Sequence, residues 1–198
     1  MDQKSFLAFI KSRRTCYQFI PKTESPVTEE EIQICLQAAI TAPNHKLTQP
    51  WKFWLAGESY TQSLADIYAD NRASKNTQGD SAKYDLLYQK AFDKFNGIPC
   101  VILVGQQLTE DEVVRKEDYA ACACAIQNFQ LMAWSIGIGM QWSTGPVISD
   151  QRTYDLLGIS KEQTELIGAL YIGHINEDLK PNNRLKRKSV TEVMTLLN

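Results

Sequence analysis

The sequence is poor in the residues from which metal and nucleotide sites are usually assembled. It has only two histidines, His45 and His174, and neither has a ligand partner at helical spacing. No metal centre is therefore expected. There is no Walker A loop and no Gly-x-Ser-x-Gly elbow, and "GIGMQW" lacks the glycines of a dinucleotide fingerprint. The five cysteines, Cys16, Cys35, Cys100, Cys122 and Cys124, are odd in number and form no Cys-x-x-Cys pair. That excludes a disulfide framework and suits thiols packed as small hydrophobes in a reducing cytoplasm. No cationic segment precedes an apolar one in "MDQKSFLAFIKSRR", so no signal peptide is expected. The most apolar long stretch, 120–140, contains Gln127, Asn128 and Gln130 and reads as a core helix, not a membrane span. Net charge is −2, which gives no reason to expect nucleic acid or an anionic membrane as partner.

The 198 residues carry 43% hydrophobic and 22% charged side chains, enough to bury one sizeable core. One domain over 1–198 is expected, with a polar helical excursion at about 59–95 that weakens at "NTQGD". Residues 3–12 read as an amphipathic helix. Thr28 and Glu31 form a capping box for a second helix, whose buried stripe would be Ile32, Leu36, Ala39 and Ile40. Pro43 ends it. "WKFWLA", "IPCVILVG", "GMQW" and "ELIGALYIGHI" read as strands. Thr109 and Glu112 read as a second capping box, opening a long helix that Gly137 stops. "SDQRTYDLLGI" reads as a helix closed by Gly158, and a basic tail leads to a last short helix. Helices flanking separated strands indicate an α/β or α+β fold.

Two basic stretches and two loops stand out. "SRRT", Ser12 to Thr15, combines two guanidinium groups and a hydroxyl at a helix exit. Those groups can grip a phosphate, or the arginines can simply complement the negative end of the helix. "RLKRK", Arg184 to Lys188, is a solvated basic run unless it meets the first cluster in space. Trp142-Ser143-Thr144-Gly145 is either a plain turn or a place where backbone approaches a ligand. "APNHKLTQPWKFW", Ala42 to Trp54, is too varied for an ordinary connector.

Taken in order, "SRRTCYQF", the capped helix, "APNHKLTQPWKFW", "AIQNFQLMAWSIGIG" and "RKSVTEVM" resemble the FMN-dependent nitroreductases along essentially the whole chain. The "APNHK…QPW" loop and "QWSTG" most resemble the small YdjA-type group. The resemblance implies a three-layer α+β fold with a central, mostly antiparallel sheet, and an intertwined homodimer. It implies that Arg13, Arg14 and Thr15 hold the FMN phosphate and ribityl chain, with Arg187 or Arg184 nearby. Thr41, His45 and Gln49 match loop positions that reach the flavin, partly from the other subunit. Trp142, Ser143, Thr144 and Gly145 match the segment beside the isoalloxazine. Met132, Ala133, Trp134, Ser135, Ile136 and Gly137 match a stretch linked to NAD(P)H. Two departures remove positive charge. Tyr17 stands where many members have lysine or arginine, and Ser143 replaces an arginine of the small group.

The activity so implied is a ping-pong cycle, with NADH or NADPH giving hydride to flavin N5 and a small-molecule acceptor taking the electrons. No separate catalytic residue is expected, since the flavin carries the hard chemistry. Nitroaromatic, quinone and enone acceptors, and a non-catalytic FMN-binding dimer, all remain compatible with the sequence.

Overall fold

The computed structural model describes residues 2–77, 80–176 and 187–197. Its helices are α1 (Gln3–Ser12), α2 (Glu29–Ala39), α3 (Glu58–Thr77), α4 (Ser81–Asn96), α5 (Glu112–Ser135), α6 (Gln151–Leu157) and α7 (Val190–Val193). Its strands are β1 (Trp51–Leu55), β2 (Cys100–Gln107), β3 (Ile138–Ser143) and β4 (Thr164–His174). The expected weak spot at "NTQGD" lies partly outside the described residues. Among the described residues, no helix is long and apolar enough to cross a membrane.

Local chemistry sets most boundaries. The Thr28 hydroxyl accepts the Glu31 N–H at 3.2 Å, and the Glu31 carboxylate accepts the Thr28 N–H at 2.8 Å, the expected box. The second expected box does not form. Asp111 caps α5 instead, accepting the N–H groups of Val113 and Val114 at 2.8 and 3.2 Å. Thr109 is displaced by two residues and accepts the Asp111 N–H. A carboxylate at the cap also opposes the helix dipole favourably, which a hydroxyl does not. Gly137 and Gly158 follow α5 and α6 at φ of 81° and 65°, the left-handed geometry that a glycine adopts without penalty. The α2 stripe is Ile32, Cys35 and Ala39, not the expected set. The helix stops at Ala39, so Ile40 swings out and is 55% exposed.

The four strands form one antiparallel sheet in the order β1-β2-β4-β3. Successive strand residues point to opposite faces. On one face, Ile102, Val104, Met140 and Leu170 pack with Ile126 and Phe129 of α5 and Ile32 of α2. On the other, Val101, Leu103, Leu166 and Tyr171 pack with Leu64 and Ile67 of α3, Phe95 of α4 and Tyr154 of α6. The result is the three-layer α+β architecture with the expected antiparallel sheet. The α3–α4 hairpin supplies one side of the second core. Its outer edge is tied to α6, where Arg152 bridges Asp70 and Asp150 at 2.7 Å each.

Candidate functional site

The β3 edge is built from main-chain pairing. After α1 the chain runs alongside β3, where Thr15 bridges Met140 in parallel and the Cys16 N–H donates to the Met140 carbonyl at 3.1 Å. Gly139 makes this approach possible, because a Cβ there would lie 2.7 Å from the Cys16 Sγ. The two arginines divide their work. Arg14 turns back onto α1, donating to the carbonyls of Lys11 at 2.6 Å and Arg13 at 2.9 Å. It neutralises the helix end, one of the two roles the sequence allowed. Arg13 is half-buried and its pKa is lowered, first by burial and then by repulsion from Arg187 and Arg14. The basic tail therefore does meet the first cluster, through Arg187. Arg184 lies outside the described residues. Two further cations, Arg14 and Arg187, near the half-buried Arg13 guanidinium form a place that an anion would stabilise.

Further along the same segment, at Tyr17 and Phe19, a cavity of about 400 Å³ opens on the hairpin face of the sheet. Tyr17 and Phe19 form one wall, Gln141, Ser143, Gly145 and Pro146 another, and Tyr68, Arg72 and Lys94 of the hairpin a third. Tyr171 closes the floor. Its hydroxyl is buried and has no hydrogen-bond partner of ordinary geometry, although Ser143 is close. Burial pushes this phenol up to about 12, against the opposing influence of Ser143. The hydroxyl thus lies beneath Ser143, which stands between it and the open part of the cavity. Its apolar and aromatic lining with a few polar groups is that of a small-molecule site.

Ser143 and Gly145 line this cavity, and Thr144 between them is exposed. Trp142 does not line it. Its side chain lies on the opposite face against the first core, and its indole N–H donates to the Ile167 carbonyl at 3.1 Å. The ladder shifts register between Val104 and Gly105, which skips Ile167. Strand alternation between Trp142 and Ser143 was the sequence signal for this separation. Arg72, Lys94 and Tyr171 were not found from sequence. The first two restore positive charge beside Tyr17 and Ser143, the positions where the resemblance had lost it.

The other expected loop residues gather at the far edge of the sheet. Thr41, His45 and Gln49 are exposed and lie between α2 and β1. The Thr41 hydroxyl donates to the Ala38 carbonyl at 2.7 Å. Lys46, Leu47 and Gln49 all have positive φ, a costly set without a glycine. Two bonds hold the loop. The Gln49 N–H donates to Asn44 Oδ1 at 3.0 Å, and the Thr48 hydroxyl donates to the buried Asp118 carboxylate at 2.6 Å. With two strands between them, β1 and β3 are separated by about 14 Å, three strand spacings. One chain thus places the expected residues at two opposite edges of its sheet.

The Met132–Gly137 stretch closes α5, on the face away from the cavity. Ala133 is fully buried, and the Trp134 indole N–H donates to Ser12 Oγ at 2.8 Å. This anchors α5 to the end of α1, just ahead of Arg13.

The profile described as "Nitroreductase family" matches residues 10–174. "Putative NAD(P)H nitroreductase YfhC" of Bacillus subtilis (strain 168) is 33% identical over 155 residues, 78% of this chain and 76% of that protein. Among solved structures, a nitroreductase-like family protein from Bacillus cereus is 26% identical, with a TM-score of 0.82 over 100% of this chain and 98% of that one. The FMN- and NADPH-dependent nitroreductase NfnB from a sphigopyxis species (strain HMH) shares the fold at 17% identity. Its TM-score is 0.73, over 100% of both chains.

Proposed function

The chain belongs to the nitroreductase family, and from that premise we propose that it is an FMN-dependent NAD(P)H oxidoreductase reducing nitroaromatic or related acceptors. The observation that carries this reading is that one segment, Arg13 to Phe19, runs along β3 from a cluster of cations to the wall of a half-open cavity. A flavin mononucleotide has the matching shape, a dianionic phosphate at one end and a planar polar-edged ring at the other. When bound, it would supply hydride acceptance from a nicotinamide and donation to an acceptor.

The chain's own residues then have separate tasks. Arg13 and Arg187 hold the phosphate, and Thr15 offers a hydroxyl to the ribityl chain. Ser143 and Gly145 present donors along the ring edge. Arg72 and Lys94 would keep positive charge at the hairpin side of the cavity, where it opens toward the outer face of α4. Phe19 would offer the ring an apolar wall, with Tyr17 and Pro146 at the rim.

A homodimer completes the site in this proposal. Thr41, His45 and Gln49 of one protomer would reach the cavity of the other, because their own cavity lies across the sheet. The exposed apolar row Phe6, Leu7 and Ile10 on α1 offers surface for that contact.

The test is anaerobic stopped-flow mixing of FMN-loaded protein with NADH and with NADPH, followed by a panel of nitroaromatic, quinone and enone acceptors. Rapid loss of flavin absorbance, and its return with a nitroaromatic, is expected. Protein that gains no colour and no thermal stability from FMN would sink the proposal. A flavin that no nicotinamide bleaches would leave only a binding protein.

A further inference from the structure

The α3–α4 hairpin segregates its charges. On one side, Asp66 and Asp70 accept from the hydroxyls of Tyr88 and Tyr84 at 2.5 and 2.8 Å, and Asp70 also pairs with Arg152. On the other side, Lys83, Lys90 and Lys94 recur on one face of α4, with Leu87 between them. None of these lysines makes an ion pair among the described residues. They line a trough of about 460 Å³ with Tyr68 and Arg72 of α3. Tyr68, Arg72 and Lys94 also line the cavity beneath Ser143, so the trough is its continuation.

A row of lysines on a convex helix face is normally only solvated. This row is concave and opens at one end into the candidate active site. From Lys83 to Lys94 it runs about 16 Å, eleven residues at the helical rise. A compact carboxylate would use one cation of such a row. A ligand with several phosphates along its length would use all of them.

We propose that this trough binds the hydride donor by its phosphates, with Arg72 and Lys94 facing the pyrophosphate and Lys83 and Lys90 facing a 2′-phosphate. The chain then prefers NADPH to NADH. This rests on the reductase reading above and names the donor for that site. It also moves the donor away from Met132–Gly137, which the fold places behind the sheet.

Two measurements test it. The first uses no redox chemistry: calorimetric titration of the FMN-loaded protein with adenosine 2′,5′-bisphosphate and with adenosine 5′-monophosphate. The bisphosphate should bind about tenfold tighter or more, the scale of a charge-assisted phosphate contact. The Lys83→Gln/Lys90→Gln double variant should bring the two affinities together, and Lys83→Arg/Lys90→Arg should restore the gap. The second reads the ratio of NADPH to NADH dissociation constants from the stopped-flow reduction. The glutamine variant should lower the preference for NADPH about tenfold. Wild-type protein that binds neither nucleotide or does not discriminate between them overturns the proposal, as does discrimination that survives the glutamine variant. Equal bleaching by both donors would overturn it while leaving the reductase reading intact. A flavin that neither donor bleaches would instead count against the reductase reading, since the nucleotide titration reads the trough by itself.

Discussion

The two edges of the sheet reach their shapes by opposite means. At the β3 edge, ladder-like pairing fixes the chain. Thr15 and Cys16 lie against Met140, and Gly139 leaves room for the sulfur. At the β1 edge, side chains override the backbone's preference. Lys46, Leu47 and Gln49 sit at positive φ because Asn44 and Asp118 hold the turn. A phosphate grip gains from rigidity, since ordering it costs nothing at the moment of binding. A loop that must meet another protomer gains from projecting beyond its own core. The edges therefore differ in what holds them: main-chain pairing at β3 and side-chain tethers at β1.

The largest test of the rigid edge is Gly168→Ala. A Cβ there would lie 2.1 Å from Trp142 Nε1, so the indole behind β3 must leave its bond to Ile167. A loss of about 3 kcal/mol is expected in denaturant unfolding, the upper range for overpacking. A loss below about 1 kcal/mol would mean that Trp142 does not brace the edge. Next comes the division between the arginines. Arg13→Ala should weaken FMN binding by roughly 1.5–3 kcal/mol with little change in melting temperature. Arg14→Ala should instead cost stability, by about 0.5–1 kcal/mol, because it uncaps α1. Equal effects on FMN affinity would erase the distinction.

At the strained edge, Thr48→Val should cost about 1–2 kcal/mol, since it strips the buried Asp118 carboxylate of its donor. Lys46→Gly should act the other way. It should raise stability by about 0.5–1 kcal/mol by relieving a positive φ of 52°, net of the glycine's greater unfolded entropy. A destabilised glycine variant would show that the turn is not strained. The smallest effect is chemical. Burial raises the Cys16 thiol above its ordinary value, more than Arg13 lowers it, so Cys16 stays protonated and slow to alkylate from pH 7 to 9. Its stabilising contribution is full below the unfolded thiol value near 9 and fades as pH rises through the higher folded value. Exposed Cys124 should be modified first by iodoacetamide in peptide mapping. Equal modification rates would show that the β3 edge opens readily.

The sequence made the layers of the fold legible through local signals. The Thr28 box, the glycine stops at 137 and 158, and the β-branched runs of β2 and β4 each act within a few residues. Errors came where two local signals competed. Asp111 outbid Thr109 for the α5 cap, and the early end of α2 traded Ile40 for Cys35. The site was legible only in part. Arg13 and Ser143 lie on or beside the β3 edge, and their neighbourhood follows from chain order. Arg72 and Lys94 reach it because the hairpin folds over β4, and Tyr171 because β4 pairs with β3, long-range facts with no local signature. Trp142 and Ser143 are strand neighbours, and period-two geometry sends their side chains to opposite faces.

The turn at Lys46–Gln49 also has a consequence for the order of folding. Left-handed residues without glycine are poorly populated in a free chain, and of the two tethers only Asn44 is local. Asp118 belongs to α5, some seventy residues downstream. The turn therefore gains its second tether only once α5 has docked on the sheet, and it is expected to open locally before the core does. Its amides exchange through this local opening without waiting for global unfolding. The segment assigned to the second protomer is thus also the one whose closure that protomer would most strengthen.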